Sequence, residues 1–269
     1  MNKYNKIVNL IKQNKTSEAI SLIELNHVIN EKIDKETGNN LLHVACLYNR
    51  EEIAKNIFNK KTASQINSNL MTPLYYCVMN NNEDLCNFFI ENGVKPDKET
   101  LFNAARMSSL SIIKILFIRK IPFNILDHRN QNMLIHAIKQ KRSYNIIDYL
   151  SNKCHLNQED IYKNTPMHYA CRCLRAGYDK ILILLSKKGA DIIQRNSSGN
   201  SAIDYIKSFE LKINVINLTR KYARFYRRRG FLMFLAQYNF LQGNHISNTP
   251  CAARVFNMKG LYRQIMSYL

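Results

Sequence analysis

The sequence lacks the features that mark membrane-spanning, secreted and disulfide-bonded proteins. No apolar run approaches the roughly 18 residues of a membrane-spanning helix, and the N-terminal MNKYNKIVNLIKQNK carries charges where a secretory signal has its apolar core. The seven cysteines are an odd number without disulfide-like spacing, and no Cys-x-x-Cys pair is present. We therefore expect a soluble intracellular chain without a transmembrane segment, cytoplasmic or alternatively nuclear, whose cysteines are reduced core thiols.

The short motifs that usually accompany catalysis are missing as well. The sequence has no GxGxxG or GxxxxGKS/T run, no GxSxG elbow and no HExxH pair, and its eight glycines are scattered where turns are expected. A zinc site among His155, His168, Cys171 and Cys173 is disfavoured, because Cys-x-Cys with two upstream histidines matches no standard finger spacing. We expect a protein that is not an enzyme, with no catalytic residue, cofactor or metal.

Acidic residues are absent from the last fifth of the chain. The whole sequence carries a net charge of +19, yet residues 211–269 hold ten Lys and Arg and no Asp or Glu. Over half of the excess charge therefore lies in this segment, which indicates a boundary near residue 210. Since 46% of the residues are apolar, an ordinary share for a chain that buries a core, we expect a folded domain over residues 1–210 and a basic helical module over residues 211–269.

An internal repeat runs through the first 210 residues. Six segments align, some closely and some loosely: NLLHVACL (40–47), MTPLYYCV (71–78), ETLFNAAR (99–106), NMLIHAIK (132–139), NTPMHYAC (164–171) and NSAIDYIK (200–207). An apolar stripe at helical spacing follows most of them, and then Gly or a polar turn. The pattern predicts a short helix opened by Thr-Pro or a substitute, a tight turn, and a second amphipathic helix that ends near Gly93 or Gly189.

These segments resemble the ankyrin repeat family, whose unit is about 33 residues long and has a TPLH-type signature. TPMHYA and the KKGAD that follows it are the most specific matches, and the resemblance covers residues 3–210. It implies an all-α ankyrin-repeat helical solenoid of about six units, with an N-terminal cap before it and the basic helical module after it. Two departures stand out: the unit at 99–121 is shortened ahead of its first helix, and CRCLRAGYDK is inserted in the unit at 165.

The resemblance also implies a binding surface, because partner contacts in this family come mostly from hairpin tips and the solvent-facing side of the first helix. The matching positions are Glu36, Thr37, Leu47, Tyr48, Asn69, Met71, Met79, Asn80, His128, Arg129, Gln131, Lys139, Gln140, Ile161, Tyr162, Asn164 and Arg172. Exposed aromatic and Met side chains there favour a partner protein, and packing of some of them against neighbouring units is the alternative. For His43 and His168 the resemblance implies a structural role, tying one unit's hairpin to its own helix.

The basic module begins with a segment, FELKINVINLTRKYARFYRRRG, that reads as one helix closing at Gly230. Its apolar side, with Leu218, Tyr222 and Phe225, is spaced to cap the last repeat. Its cations are then a solvated face, a polyanion-binding site or a nuclear-import signal; they are Arg220, Lys221, Arg224, Arg227, Arg228 and Arg229. The chain's end, VFNMKGLYRQIMSYL, faintly resembles the F-box-like C-termini that follow ankyrin repeats in some viral host-range proteins, although a plain terminal helix is favoured.

These features together predict a non-catalytic protein–protein interaction module. We expect an adaptor or scaffold that acts as a monomer and binds a partner protein, of unknown identity and with an acidic partner as one option, through the concave ankyrin face. Binding of nucleic acid or anionic lipid by the basic C-terminal module is the first alternative. A ubiquitin-ligase substrate receptor acting through an F-box-like C-terminal helix is the second.

Overall fold

The computed structural model describes residues 3–25, 34, 36–118, 123–173, 179–208 and 210–217. Helices joined by short turns make up this part of the chain. It contains no β-strand, and Arg195 and Ser201 form an isolated antiparallel bridge. None of the helices in these residues is long and apolar enough to cross a membrane.

The helices come in pairs, and each pair corresponds to one repeat of the sequence. The N-terminal cap consists of α1 (Lys3–Lys12) and α2 (Thr16–Glu24). Units 1 to 5 follow in chain order as α3 (Leu41–Leu47), α4 (Glu51–Asn56) and the one-turn α5 (Lys60–Ala63); α6 (Pro73–Met79) and α7 (Glu83–Glu91); α8 (Lys98–Met107) and α9 (Leu110–Phe117); α10 (Met133–Lys139) and α11 (Tyr144–Ser151); and α12 (Pro166–Arg172) and α13 (Asp179–Lys187). Unit 6 has a 3₁₀ helix (Ala202–Tyr205) and then α14, which is helical over residues 210–217.

Four of the first helices begin directly after an aligned residue of the repeat, and we call these residues the anchors: Asn40, Thr72, Asn132 and Thr165. Asn40 is the N-cap of α3, and its side chain accepts a hydrogen bond from the His43 backbone N–H at 2.9 Å. Thr72 caps α6 in the same way and is followed by a proline, which has no N–H to satisfy at the first helical position. The predicted opening by Thr-Pro or a substitute is confirmed, and α7 and α13 end two residues before Gly93 and Gly189, as expected.

The first helices pack side by side in the order α3, α6, α8, α10 and α12, and the 3₁₀ helix follows. The second helices form a parallel layer, in which α2 contacts α4, α4 contacts α7 and α7 contacts α9. Buried apolar side chains from Tyr4 to Val215 make one contiguous core, with Phe89 and Phe102 among its largest fully buried members. No helix pair could bury its own stripe, so each interface between units contributes to stability.

Packing on this core continues beyond residue 210. In α14, Val215 is fully buried, and Leu211 and Ile216 are partly buried against the core. The apolar cap itself was predicted with Leu218, Tyr222 and Phe225, which lie outside the described residues, so it stays a prediction.

A hairpin precedes the first helix in every full unit except unit 3. Each hairpin is closed by a backbone hydrogen bond, as from Asn67 N–H to the Met71 carbonyl (3.0 Å) and from Asp160 N–H to the Asn164 carbonyl (3.0 Å). In unit 3 the chain runs from Gly93 directly to the N-cap Asp97. The predicted shortening ahead of this first helix is confirmed, and α8 is ten residues long where the other four first helices have seven.

Candidate functional site

Two buried histidines connect neighbouring units. Nδ1 of His43 accepts from the Asn40 backbone N–H at 3.3 Å, and Nε2 lies 3.1 Å from the carbonyl oxygen of Met71 in the next hairpin. His168 repeats the pattern in unit 5, with its Nε2 3.2 Å from the Asn200 carbonyl. A carbonyl only accepts hydrogen bonds, so Nε2 carries the proton. Burial lowers the pKa of His43 to about 4 and also lowers the pKa of His168.

These contacts are structural, as the resemblance implies, but the hairpin that each imidazole binds belongs to the following unit and not to its own. Each imidazole binds the start of its own first helix and also the hairpin of the following unit. Within the described residues, no group of three or more His, Cys, Asp or Glu side chains is placed to hold a metal ion. Five cysteines are buried and are free thiols outside any disulfide, as predicted for core thiols. Burial raises the pKa of Cys154 and of Cys171 to about 12.

The hairpins and the C-terminal ends of the first helices lie on one side of the stack, which we call the hairpin face. Neighbouring hairpins are joined by backbone hydrogen bonds, which run from Ser68 N–H to Thr37 O (3.1 Å), from Ile161 N–H to Arg129 O (3.1 Å) and from Ser197 N–H to Tyr162 O (2.9 Å). Unit 3 has no hairpin, so this row divides into units 1–2 and units 4–6. Within each group the hairpins hold one another in place.

A side-chain hydrogen bond of fixed spacing ties four hairpins to their own first helices. In each case an Asn or Asp five residues before the N-cap contacts an aromatic side chain four residues after it. The pairs are Asn67 Nδ2 with Tyr76 OH (2.8 Å), Asp127 Oδ2 with His136 Nε2 (2.9 Å), Asp160 Oδ2 with Tyr169 OH (2.5 Å) and Asn196 Nδ2 with Tyr205 OH (3.1 Å). Our sequence reasoning missed this contact, although its signal, an Asx and an aromatic nine residues apart, is repeated four times.

Hydrogen bonds hold the carboxyl groups of Asp127 and Asp160 within their hairpins and affect the pKa values of these pairs. Burial would raise the pKa of Asp127, but hydrogen bonds from the backbone N–H groups of Gln131 and Arg129, with His136 nearby, hold it below the usual value. Burial lowers the pKa of His136, and its contact with Asp127 opposes that shift. Burial also raises the pKa of Tyr169, and its hydrogen bond to Asp160 adds to the effect.

Two cavities bring predicted site residues together. The first, of about 510 Å³, lies between the N-terminal cap and unit 1 and gathers Glu36, Thr37, Leu47 and Tyr48. The second, of about 240 Å³, opens where unit 3 has no hairpin, between α8 and the hairpin of unit 4. It gathers five further predicted residues, which are His128, Arg129, Gln131, Lys139 and Gln140.

The remaining predicted residues divide by exposure. Four are exposed at hairpin tips or at a helix end: Asn69, Ile161, Tyr162 and Arg172. Met79 is exposed, Met71 is partly buried, and Asn80 donates to the Cys46 carbonyl at 2.8 Å.

Two predicted contact residues are not on the surface, which corrects their assignment as solvent-facing. Gln131 and Asn164 are buried. Gln131 donates to Tyr169 OH at 3.0 Å, and Asn164 accepts from Asn196 at 2.9 Å. Both side chains therefore fasten one hairpin to the next unit. Their positions match the family pattern, but hydrogen bonds within the stack use their polar atoms.

Two exposed apolar residues on the hairpin face were missed. Leu70 occupies the left-handed position of its hairpin tip (φ 60°) and is 68% exposed, and Met107, the last residue of α8, is 60% exposed. Met107 belongs to the shortened unit 3, in which no contact position was predicted. The predicted polyanion-binding residues lie outside the described residues and stay a prediction; they are Arg220, Lys221, Arg224, Arg227, Arg228 and Arg229.

Comparison with known proteins identifies the repeat. A family model for ankyrin repeats matches residues 3–100 and 101–196. Among solved structures, the chain is similar to the ankyrin repeat domain of human ASB11 (TM-score 0.66, 19% identity, 79% of this chain and 96% of that one). It is similar to the ankyrin repeat domain of Bcl-3, described as a unique member of the IkappaB family (TM-score 0.64, 14% identity, 78% and 97%).

An ankyrin repeat domain from Acinetobacter baumannii AYE is also similar (TM-score 0.59, 17% identity, 68% of this chain and 97% of that one). No curated protein matches the sequence significantly. At these identities the structural matches establish the fold, an ankyrin-type stack of helices, and they agree with the predicted fold class over the described residues.

Proposed function

Since this chain belongs to the ankyrin repeat family, whose members are generally protein–protein interaction modules, we propose that its hairpin face binds a partner protein. In this role the chain is a monomeric adaptor or scaffold. Proteins of this family are typically non-catalytic, and we infer that this one also acts by binding alone. Ankyrin-type stacks present such a face as an extended concave surface.

Exposed apolar side chains on the hairpin face carry the proposal. Six large ones lie at hairpin tips or at the C-terminal ends of first helices: Tyr48, Leu70, Met79, Met107, Ile161 and Tyr162. Aromatic and Met side chains are enriched at the centres of protein interfaces, where their burial supplies much of the affinity. The hairpins that present them are fixed by hydrogen bonds to one another and to their helices, so little ordering entropy is lost on binding.

The test is a double substitution, Tyr48→Ala with Tyr162→Ala, in the full chain. Both side chains are exposed, by 37% and 58%, so their truncation should leave the thermal unfolding midpoint nearly unchanged. We expect at least one protein that co-purifies with the wild-type chain to be lost from the double variant, as measured by quantitative mass spectrometry. Loss of two aromatic contacts weakens a typical interface by roughly 2 kcal/mol or more.

Tyr144→Ala is the matched control, because Tyr144 is 47% exposed at the start of the second helix α11, away from the hairpins. It should retain every partner of the wild-type chain. If the double variant also retained every partner, binding through the hairpin face would be contradicted.

A further inference from the structure

The last residues of the five first helices form a row across the hairpin face, which we call the end row. In chain order they are Leu47, Met79, Met107, Lys139 and Arg172. Because α3, α6, α8, α10 and α12 pack side by side in that order, neighbouring members belong to neighbouring units. The end row is apolar over units 1–3 and cationic over units 4–5.

An aromatic side chain of the following unit contacts each cation of the end row. Lys139 Nζ lies 5.5 Å from the ring centroid of Tyr169 and donates to Gln131 at 3.0 Å. The Arg172 guanidinium lies 4.4 Å from the ring centroid of Tyr205 and donates to its hydroxyl at 2.6 Å. These partners are neutral, and neither cation forms an ion pair with a carboxylate of the described residues.

The nearest acidic side chains in the hairpins are engaged elsewhere. Asp127 accepts from the backbone N–H groups of Arg129 and Gln131, both at 2.8 Å, and contacts His136. Asp160 accepts from Tyr169 OH at 2.5 Å and from the Asn164 backbone at 2.7 Å. These hydrogen bonds turn both carboxylates into the hairpins. The positive charge of the end row is therefore available to a ligand, and a charge of opposite sign would be attracted to it.

We propose that the partner contributes an extended segment with an acidic part and an apolar part, a proposal that rests on binding through the hairpin face. Its carboxylates contact Lys139 and Arg172, and its apolar side chains lie on Leu47, Met79 and Met107. Packed helices are roughly 8–10 Å apart, and a chain extended as polyproline II advances roughly 3.1 Å per residue and turns every third side chain to the same side. Carboxylates that meet both cations are therefore spaced about three residues apart.

Charge and composition favour this acidic and apolar segment over two other ligands, which are the chain's own last 59 residues and a nucleic acid. The chain's own last 59 residues carry ten Lys and Arg and no acidic residue, so the cationic half of the end row would repel them. A nucleic acid would bring phosphates along its whole length, yet three of the five end-row positions are apolar. A protein segment can match both halves.

The test is a selection of displayed random 12-residue peptides on the full chain. Wild-type protein should enrich sequences with Asp or Glu about three residues apart beside an apolar stretch. The variant Lys139→Glu with Arg172→Glu should enrich Lys or Arg at those positions and should bind a synthetic wild-type-selected peptide roughly tenfold or more weakly, since two attractions become repulsions. Lys139→Gln with Arg172→Gln should lie between the two, and circular dichroism checks that each variant is folded.

Lys153→Glu with Lys180→Glu is the matched control, because it makes the same charge change at exposed residues beside or within second helices. It should enrich the wild-type sequences. Enrichment of non-acidic peptides, or of the same peptides by the Lys139→Glu and Arg172→Glu variant, would overturn the proposal. If the peptides enriched in either case no longer bound the variant Tyr48→Ala with Tyr162→Ala, binding through the hairpin face would stand without the proposed acidic segment.

Failure to enrich any peptide family would overturn the proposed segment and also count against the hairpin face. A fluorescent single-stranded 20-nucleotide oligomer provides the remaining comparison. Binding of this oligomer that depends on Lys139 and Arg172, in the absence of acidic peptide binding, would assign the cationic half to nucleic acid and overturn the proposal.

Discussion

His43 and His168 illustrate how one side chain can join two repeats. Each neutral imidazole offers one acceptor and one donor, and the structure uses both, toward the start of its own helix and toward the next hairpin. Burial lowers the pKa of both side chains and so favours the uncharged form, and the carbonyl partners place its proton on Nε2. Protonation of Nδ1 would place a donor opposite the N–H of Asn40 or Thr165, and the buried charge would lack water.

The first prediction concerns pH. The pKa of His43 is about 4 in the folded chain and near 6.5 in the unfolded chain, so below pH 6.5 the unfolded state binds a proton that the folded state does not. The free energy of unfolding should therefore fall as the pH drops from 6.5 toward 4, by roughly 2 kcal/mol from His43 alone at pH 5. Urea titrations at pH 7 and pH 5 measure the difference.

The variant His43→Gln should be less stable than wild type at pH 7 and should lose the His43 share of the pH dependence. His128→Gln, at an exposed hairpin position, is the control and should change neither quantity. An equal fall in stability from pH 7 to pH 5 for His43→Gln and wild type would contradict the assignment.

At the level of elements, the hairpins carry both the candidate site and the contacts between units. Gly38 and Gly199 are the glycines at the left-handed position of a hairpin tip, with φ of 68° and 76°. Their surroundings differ. A Cβ on Gly38 would lie 2.7 Å from the Ser68 backbone nitrogen, which donates to the Thr37 carbonyl, whereas a Cβ on Gly199 would meet no atom within 4 Å.

The second prediction compares these two glycines. Gly199→Ala should cost about 1 kcal/mol, because only the left-handed backbone is penalised. Gly38→Ala should cost about 2–3 kcal/mol, because the added methyl group must also displace Ser68 and weaken the hydrogen bond between hairpins. Urea unfolding of the full chain measures both values. Equal losses would show that the contact between hairpins 1 and 2 contributes little.

Much at this level follows from the sequence. The anchors Asn40, Thr72, Asn132 and Thr165 predicted the helix starts because N-cap preference is a local property. The burial of Gln131 and Asn164 could not be predicted in this way, since their partners, Tyr169 and Asn196, are more than thirty residues away. The division of the end row into an apolar and a cationic half could not be predicted either. It depends on α8 ending at Met107 and packing between α6 and α10.

For the whole molecule, the free energy of unfolding is approximately a sum of contributions from the units and from the interfaces between neighbouring units. A terminal unit of the stack has one interface fewer than the others. In the last part of the chain that the structure describes, α14 of unit 6 supplies the buried side chain of Val215 to the core. The cap that the sequence predicted, with Leu218, Tyr222 and Phe225, lies outside the described residues and stays a prediction. Charge alone marked this region as separate, but packing joins its first residues to the repeats.

The third prediction tests the packing of α14 with two substitutions in the same helix. Val215 is fully buried, whereas Ile213 is 39% exposed. Val215→Asp should lower the free energy of unfolding by about 3–5 kcal/mol, because it places an unpaired carboxylate in the core, whereas Ile213→Asp, with the same added charge, should cost less than about 1 kcal/mol. Hydrogen exchange should locate the loss first in unit 6, around residues 202–206, because each unit contacts only its neighbours. If the two variants were equally stable, α14 would not be packed on the stack in solution.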